Sequence, residues 1–241
     1  MKVLLLGEFS GLHKNLCDGL LELGHDARVA SMGDGWKHIP TDIMLGSRAP
    51  GVRGRIGRIV NPLLALPRLI NHDVIQIINP ILFSTQFDYN KKMLQFLIEH
   101  NQKAFLVGAG CDAFYWKEGR ERLRYGPFDD VEHYELNGDP GPWQAPERRA
   151  FNLWLANRVD GVIPIMYDYW VGYQNLSKLK KPLPIPINVE KIAYQENKLR
   201  QGKLVVFHGL IREGFKGTHH VRAAFDILRK KYPYDVECII Q

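Results

Sequence analysis

Short apolar runs and stretches of helical spacing alternate along this chain. KVLLL at the start is of strand length, and SGLHKNLCDGLLELGH after it sets Leu12, Leu16, Leu20 and Leu23 at helical spacing, with Ser10 as N-cap and Gly24 as C-cap. DARVAS follows as the second strand, which closes a βαβ unit. The same rhythm returns with HDVIQIINP as strand, DYNKKMLQFLIEHN as helix and KAFLVGAG as strand. Further on, APERRAFNLWLANRVD is a helix with Phe151, Leu153, Trp154 and Leu155 on its apolar face, GVIPIM is a strand, and Tyr167-Asp168-Tyr169 opens another helix. Short strands alternating with helices predict an α/β protein with a parallel sheet, helices on both faces and right-handed crossovers. Ligands in such sheets sit at the carboxyl ends of the strands, where Gly7 to Gly11 and Gly108 to Asp112 would both lie.

The pattern divides the chain into two units. Residues 1–185 carry the first, Rossmann-like sheet; the Pro-rich PLPIPINVEKI marks a linker at 186–201; and residues 202–241 open a second Rossmann-like unit. That second unit reads as a strand (Leu204 to Phe207), a turn with Gly209, Arg212, Gly214, Lys216 and Gly217, a helix from about Thr218 to Tyr232, and a strand from about Asp235. About 40 residues of open βαβ cannot bury a core alone, so the expectation is a domain that continues beyond Gln241.

The turn at 209–217 has the chemistry of an anion site. Its glycines let backbone N–H groups approach a ligand, the helix start points its positive end inward, and Arg212 and Lys216 add formal charge. An ordinary strand-to-helix turn with solvated cations fits the same residues. No Gly-Lys-Ser/Thr completes a P-loop, and the loop Gly7-Glu8-Phe9-Ser10-Gly11 lacks the spacing of the dinucleotide fingerprint, so NAD is disfavoured and no cofactor is expected.

Among 241 residues, 45% are hydrophobic and 24% charged, the balance of a globular protein. KVLLL is too short for a signal peptide and no run approaches a membrane span, while Cys17, Cys111 and Cys238 lack metal-ligand spacing, so a reduced cytoplasmic protein is expected. The net charge of +6 suits anionic partners without naming one. Its distribution says more: Arg48, Arg53, Arg55, Arg58 and Arg68 occur without an acid between them, interleaved with Ile56, Ile59, Val60, Leu63, Leu64 and Leu66. This segment, helical from about Arg53 to Leu69 with an interruption near Pro62, reads either as a docking surface for anionic lipid or as an amphipathic helix packed on its own domain.

From Phe114 to Pro146, Trp116, Tyr125, Phe128, His133, Tyr134 and Trp143 stand among Gly, Pro and acids, which suits either carbohydrate or an insertion that packs on itself. The pair Asp129-Asp130 lacks further spaced ligands, and no metal is expected.

The apolar strand, Gly209, a basic residue, Lys216-Gly217 and a helix with Ala223, Ala224, Phe225 and Leu228 together resemble the opening of the donor-binding domain of GT-B glycosyltransferases, family 4-like. The first strand, its Gly-containing loop and Leu23-Gly24-His25 resemble that family's N-terminal domain. The resemblance is specific over residues 1–31 and 203–233. It implies a retaining, metal-independent transferase that moves a sugar from a nucleotide-sugar donor to a saccharide or lipid-linked acceptor. Arg212 and Lys216 would act in catalysis by neutralising charge on the leaving diphosphate, with Gly209, Gly217, Ser10 and Gly11 contacting the donor phosphates. Apart from the resemblance, Asp112 could bind a sugar hydroxyl, and His13, early in the first helix, is either a surface or capping residue or a group that faces the sugar or acceptor.

Two departures stand out: Leu210 follows Gly209 where the family commonly has Arg, and Cys111-Asp112 stand where many relatives place a His. The family's Glu-x7-Glu motif is absent, which implies that the 241-residue chain alone turns over poorly. Peripheral contact with the inner membrane face through Arg53, Arg55 and Arg58 is a further expectation, and nucleic acid is not expected as a partner. A GT-B-like sugar-nucleotide epimerase and a non-catalytic basic binding module are the alternatives.

Overall fold

The structure is a computed structural model that describes residues 1–33, 37–139, 141–196 and 202–241. Six parallel strands form the main sheet: β1 (Lys2–Leu6), β2 (Asp26–Ser31), β3 (Ile43–Met44), β4 (Val74–Ile77), β5 (Lys103–Gly108) and β6 (Gly161–Pro164). Their order is β3-β2-β1-β4-β5-β6, the Rossmann-like arrangement that alternation predicted. β1 is central, with Val3 opposite Ala27 on one side and Val74 on the other. Because the chain leaves β1 toward β2 and later returns to β4, the direction of winding switches between β1 and β4.

Helices cover both faces, and β1 shows how the alternation of a strand feeds two cores. Val3 and Leu5 pack with Val29 and Cys17 under α1 (Leu12–Glu22). Leu4 and Leu6 pack with Leu94 and Leu97 of α3 (Tyr89–Glu99) and Leu155 of α6 (Pro146–Arg158). Each fully buried leucine of this kind contributes roughly 1.5–3 kcal/mol. Helix α1 has Leu23 as its C-cap and Gly24 one residue beyond, where a φ of 80° allows a Schellman closure in which His25 N donates to Leu20 O and Gly24 N to Leu21 O.

Helix α2 (Gly51–Ala65) differs from its sequence reading. It runs through Pro62 without a break and passes into a 3-10 turn at Leu66–Arg68. Its inward side carries Gly54, Asn61 and Pro62, while Val52, Ile56, Val60 and Leu64, one turn apart on a single stripe, are exposed. β3 was not anticipated, being two residues long.

After β5 the aromatic insertion forms a π-helical turn at Tyr115–Gly119, α4 (Arg120–Arg122) and α5 (Phe128–Tyr134). Tyr115, Trp116, Phe128 and Val131 make a core of their own, in which Trp116 stacks on Trp143 at 4.9 Å and 3°. Trp116 and Phe128 are therefore buried and Trp143 half-buried, whereas Tyr125, His133 and Tyr134 are exposed. Helix α7 (Met166–Tyr173) closes this side, and its Gly172 packs on the Tyr115 backbone.

The second unit is a separate parallel pair, β7 (Leu204–His208) and β8 (Val236–Ile240), joined by α8 (Thr218–Lys231). Among its described apolar residues only Phe225 is buried. Contact with the first unit therefore organises it. At Gly214 a Cβ would lie 2.5 Å from the Asp130 carbonyl oxygen and 2.9 Å from the Val131 Cα, so this glycine admits the α5 backbone.

Candidate functional site

At the carboxyl end of β1 the first loop turns sharply through Gly7, Ser10 and Gly11, all at positive φ. The helix start beyond it is already filled by an anion of the chain itself. Glu8 is buried; its Oε1 accepts from Gly11 N at 2.8 Å and its Oε2 from Lys14 N at 2.7 Å. Ser10 does not cap the helix; Gly11 is the N-cap residue, and the Ser10 hydroxyl accepts from Lys37 Nζ. The Gly11 amide expected to meet donor phosphates is thus engaged by Glu8.

His13 is also corrected. Its ring is completely buried, Nδ1 donates to Gly7 O at 2.7 Å, and Nε2 lies 3.2 Å from the Gln76 amide nitrogen. Burial pulls its pKa down to about 4, against the bond to Gly7, so the imidazole is a neutral brace between β1 and β4 and cannot reach an acceptor. At the switch point itself, Ile78 and Leu82 fill the space beside Gly7, leaving a cavity of about 150 Å³.

At the end of β5, Asp112 is buried and both of its oxygens have partners. Oδ1 accepts from Tyr115 N at 2.9 Å and Oδ2 from the Tyr173 hydroxyl. Burial pushes its carboxyl up to about 6, against those hydrogen bonds. Asp112 therefore ties the π-helical turn to α7 instead of presenting itself to a sugar hydroxyl. Gly108 is what admits Tyr173: a Cβ there would meet its ring at 2.8 Å.

The turn of the second unit comes to this same region. Arg212 Nε and Nη2 donate to Glu135 Oε2 at 2.8 and 2.6 Å, and Nη1 approaches Cys111 Sγ at 3.6 Å. Glu135 Oε1 accepts from Phe215 N at 3.0 Å. A carboxylate thus stands in the turn where a phosphate was expected. The base of the turn is held by Thr218, whose buried hydroxyl is 2.9 Å from His208 Nε2, and by Gly217 in the left-handed region at φ 61°.

Lys216 points elsewhere, into an open cleft of about 820 Å³ between the turn and the aromatic insertion. Gly217, Arg124, Tyr125, Asp130 and Asp168 share its walls. The structure therefore brings Arg212 beside Cys111 and sets Lys216 and Gly217 in one cleft, which Ser10, Gly11, His13 and Gly209 do not line. Sequence reading missed Glu8 and Glu135, the acids that occupy the two expected anion positions. It missed as well that His219 and His220 at the start of α8 converge on Asp130 of α5. The His-His pair was visible in the sequence, but its partner is supplied only by the fold.

No protein-family model matches the sequence, and no curated protein matches it. Among solved structures, the chain is similar to the 3-alpha-hydroxysteroid dehydrogenase from Pseudomonas sp. B-0831, crystallised with NADH, at 15% identity and a TM-score of 0.35. The match covers 68% of this chain and 71% of that one. At that TM-score the likeness carries no functional argument, and the Rossmann-like assignment stands on the strand order itself.

Proposed function

We propose that this protein transfers a sugar from a nucleotide-sugar donor to a saccharide or lipid-linked acceptor. The observation that supports the reading best is the cleft of about 820 Å³ between the two α/β units, with Lys216 on its wall at the start of a helix. In this reading Lys216 meets the donor diphosphate as an exposed cation, Gly217 lets the backbone come close, and Tyr125 offers an exposed ring to a base or sugar face. Arg212 joins when donor phosphate takes the place of the Glu135 carboxylate, an exchange of one anion for another. Charge on the leaving diphosphate is then met by fixed cations and helix dipoles.

The test is calorimetric titration of the protein with UDP, GDP and ADP, repeated with Lys216→Ala. One nucleotide should bind, and the variant should weaken it by about 1.5–3 kcal/mol, the size of a lost charge-assisted contact. A folded protein that binds none of the three sinks the reading.

A second reading is favoured by α2, whose apolar stripe faces outward beside exposed Arg53, Arg55 and Arg58. That surface suits an anionic membrane, either to collect a lipid-linked acceptor or as the whole purpose of a non-catalytic binding module. Among the described residues no helix is long and apolar enough to cross a membrane, so such contact would be peripheral.

A further inference from the structure

We propose that Asp130, His219 and His220 form a site for a divalent transition-metal ion of the zinc class, which clamps α8 to α5. One ligand atom from each of the three residues lies within 4.8 Å of the others. His219 Nε2 is 3.7 Å from Asp130 Oδ1, and His220 Nε2 is 3.6 Å from Asp130 Oδ2. These separations are too long for hydrogen bonds, which end near ~3.2 Å for nitrogen and oxygen. They approach the edge of a tetrahedral metal site, about 3.3 Å when the metal–ligand bonds are about 2.0–2.1 Å.

The surroundings support ligation over a simple ion pair. His13 has a close polar partner at each ring nitrogen, yet His219, three-quarters buried, is hydrogen-bonded through neither among the described residues, so no hydrogen bond competes with a metal for the Nε2 that faces Asp130. Packing alone orients the ring, with Tyr134 at 4.5 Å and His220 at 3.7 Å between ring centroids. The carboxylate is available as well, because the neighbouring Asp129 is the one paired with Arg120. Gly214 seats the α5 backbone against the turn and so fixes the reach from Asp130 to the two imidazoles. Two imidazoles and one carboxylate suit zinc, nickel or copper and disfavour magnesium and calcium, which prefer oxygen throughout. Three protein ligands leave a coordination position open, and Asp130 and His220 both line the cleft, so that position falls to water or to a ligand in it.

The experiment uses the whole chain after treatment with a chelator. Cobalt(II) is added and followed by visible absorption, and zinc(II) is titrated by calorimetry. One equivalent should bind, with the strong absorption of a four- or five-coordinate cobalt centre. His220→Ala, which removes an exposed ring, and Asp130→Asn should each weaken zinc binding at least about tenfold. Zinc should also raise the Tm of the native chain and not that of Asp130→Asn. Absence of binding to the folded native chain overturns the proposal, as does binding that both variants leave unchanged, since the chain has nine histidines in all. Either failure leaves the nucleotide titration untouched, because Lys216 is outside the ligand set.

Discussion

Arg212 holds Glu135 through two nitrogens on a single oxygen, Nε at 2.8 Å and Nη2 at 2.6 Å from Oε2. The other oxygen of the same carboxylate takes the Phe215 amide. This residue of the first unit thus satisfies, in the second unit, the cation Arg212 that the diphosphate reading assigns to a donor, together with a backbone amide of the same turn.

A consequence is that Glu135 competes with a phosphate. Glu135→Gln should strengthen nucleotide binding, by about tenfold if the lost competition is worth on the order of 1.4 kcal/mol. It should also lower stability modestly, by up to about 1 kcal/mol, because the pair is partly open to solvent. Calorimetry and thermal melts measure the two effects together. Unchanged or weaker nucleotide binding would mean that Glu135 clamps the units and nothing more.

Gly214 makes the same junction sensitive to volume. The Cβ of Gly214→Ala would fall 2.5 Å from Asp130 O and 2.8 Å from its carbonyl carbon, so the turn must lift from α5 at a cost of about 1–3 kcal/mol. Gly209→Ala is the control, since its Cβ would meet nothing nearer than the Phe207 ring at 3.5 Å. Limited proteolysis should cut the first variant faster than the native chain while Gly209→Ala resists as the native chain does. Equal resistance of the two variants would show that Gly214 does not limit docking.

Much of this architecture was legible because burial on both sheet faces writes itself as apolar runs. KVLLL and DARVAS became β1 and β2, and the strand–turn–helix at 204–231 emerged nearly as read. β3 was lost because two residues carry no period. The glycines of the turn were legible as a demand for close approach, but not that Gly214 answers to the α5 backbone. The functional residues were harder. A histidine at the third position of a surface-length helix looks available in sequence; that His13 is sealed between Gly7 and Gln76 depends on β4, which arrives much later in the chain. Asp112 misled for a similar reason, its partner Tyr173 lying on α7. In both cases a polar residue near a strand end was read as facing ligand, and tertiary packing had a prior use for it.

These two buried groups pull on stability in opposite directions as pH changes. His13 titrates near 6.5 when unfolded and about 4 when folded, so the unfolded chain binds the extra proton between those values and stability rises with pH there. Asp112 moves from 3.8 to about 6 on folding, so the folded chain binds the extra proton and stability falls with pH across that window. Over about pH 4–6 the two slopes offset each other. Relative to the native chain, His13→Gln should therefore lose stability as pH rises through this window, and Asp112→Asn should gain it. Denaturant midpoints at several pH values measure the contrast; parallel curves for all three proteins would show that neither group is buried as found.

The outward stripe of α2 gives the last expectation. Val52, Ile56 and Leu64 are 69%, 55% and 75% exposed, while the helix meets its own domain through Gly54 and Pro62. An apolar face that leaves the protein uncovered, ringed by arginines, has the composition of a surface that enters the headgroup layer. The chain should sediment with vesicles containing anionic lipid and much less with neutral ones. Ile56→Glu with Leu64→Glu should abolish this without affecting the fold, since both side chains are exposed. Replacing Arg53, Arg55 and Arg58 by Ala should weaken it by on the order of 1 kcal/mol per residue, more visibly at low salt. Binding that ignores lipid charge would remove the arginines from the account, and an unbound native chain would leave the stripe without a membrane role.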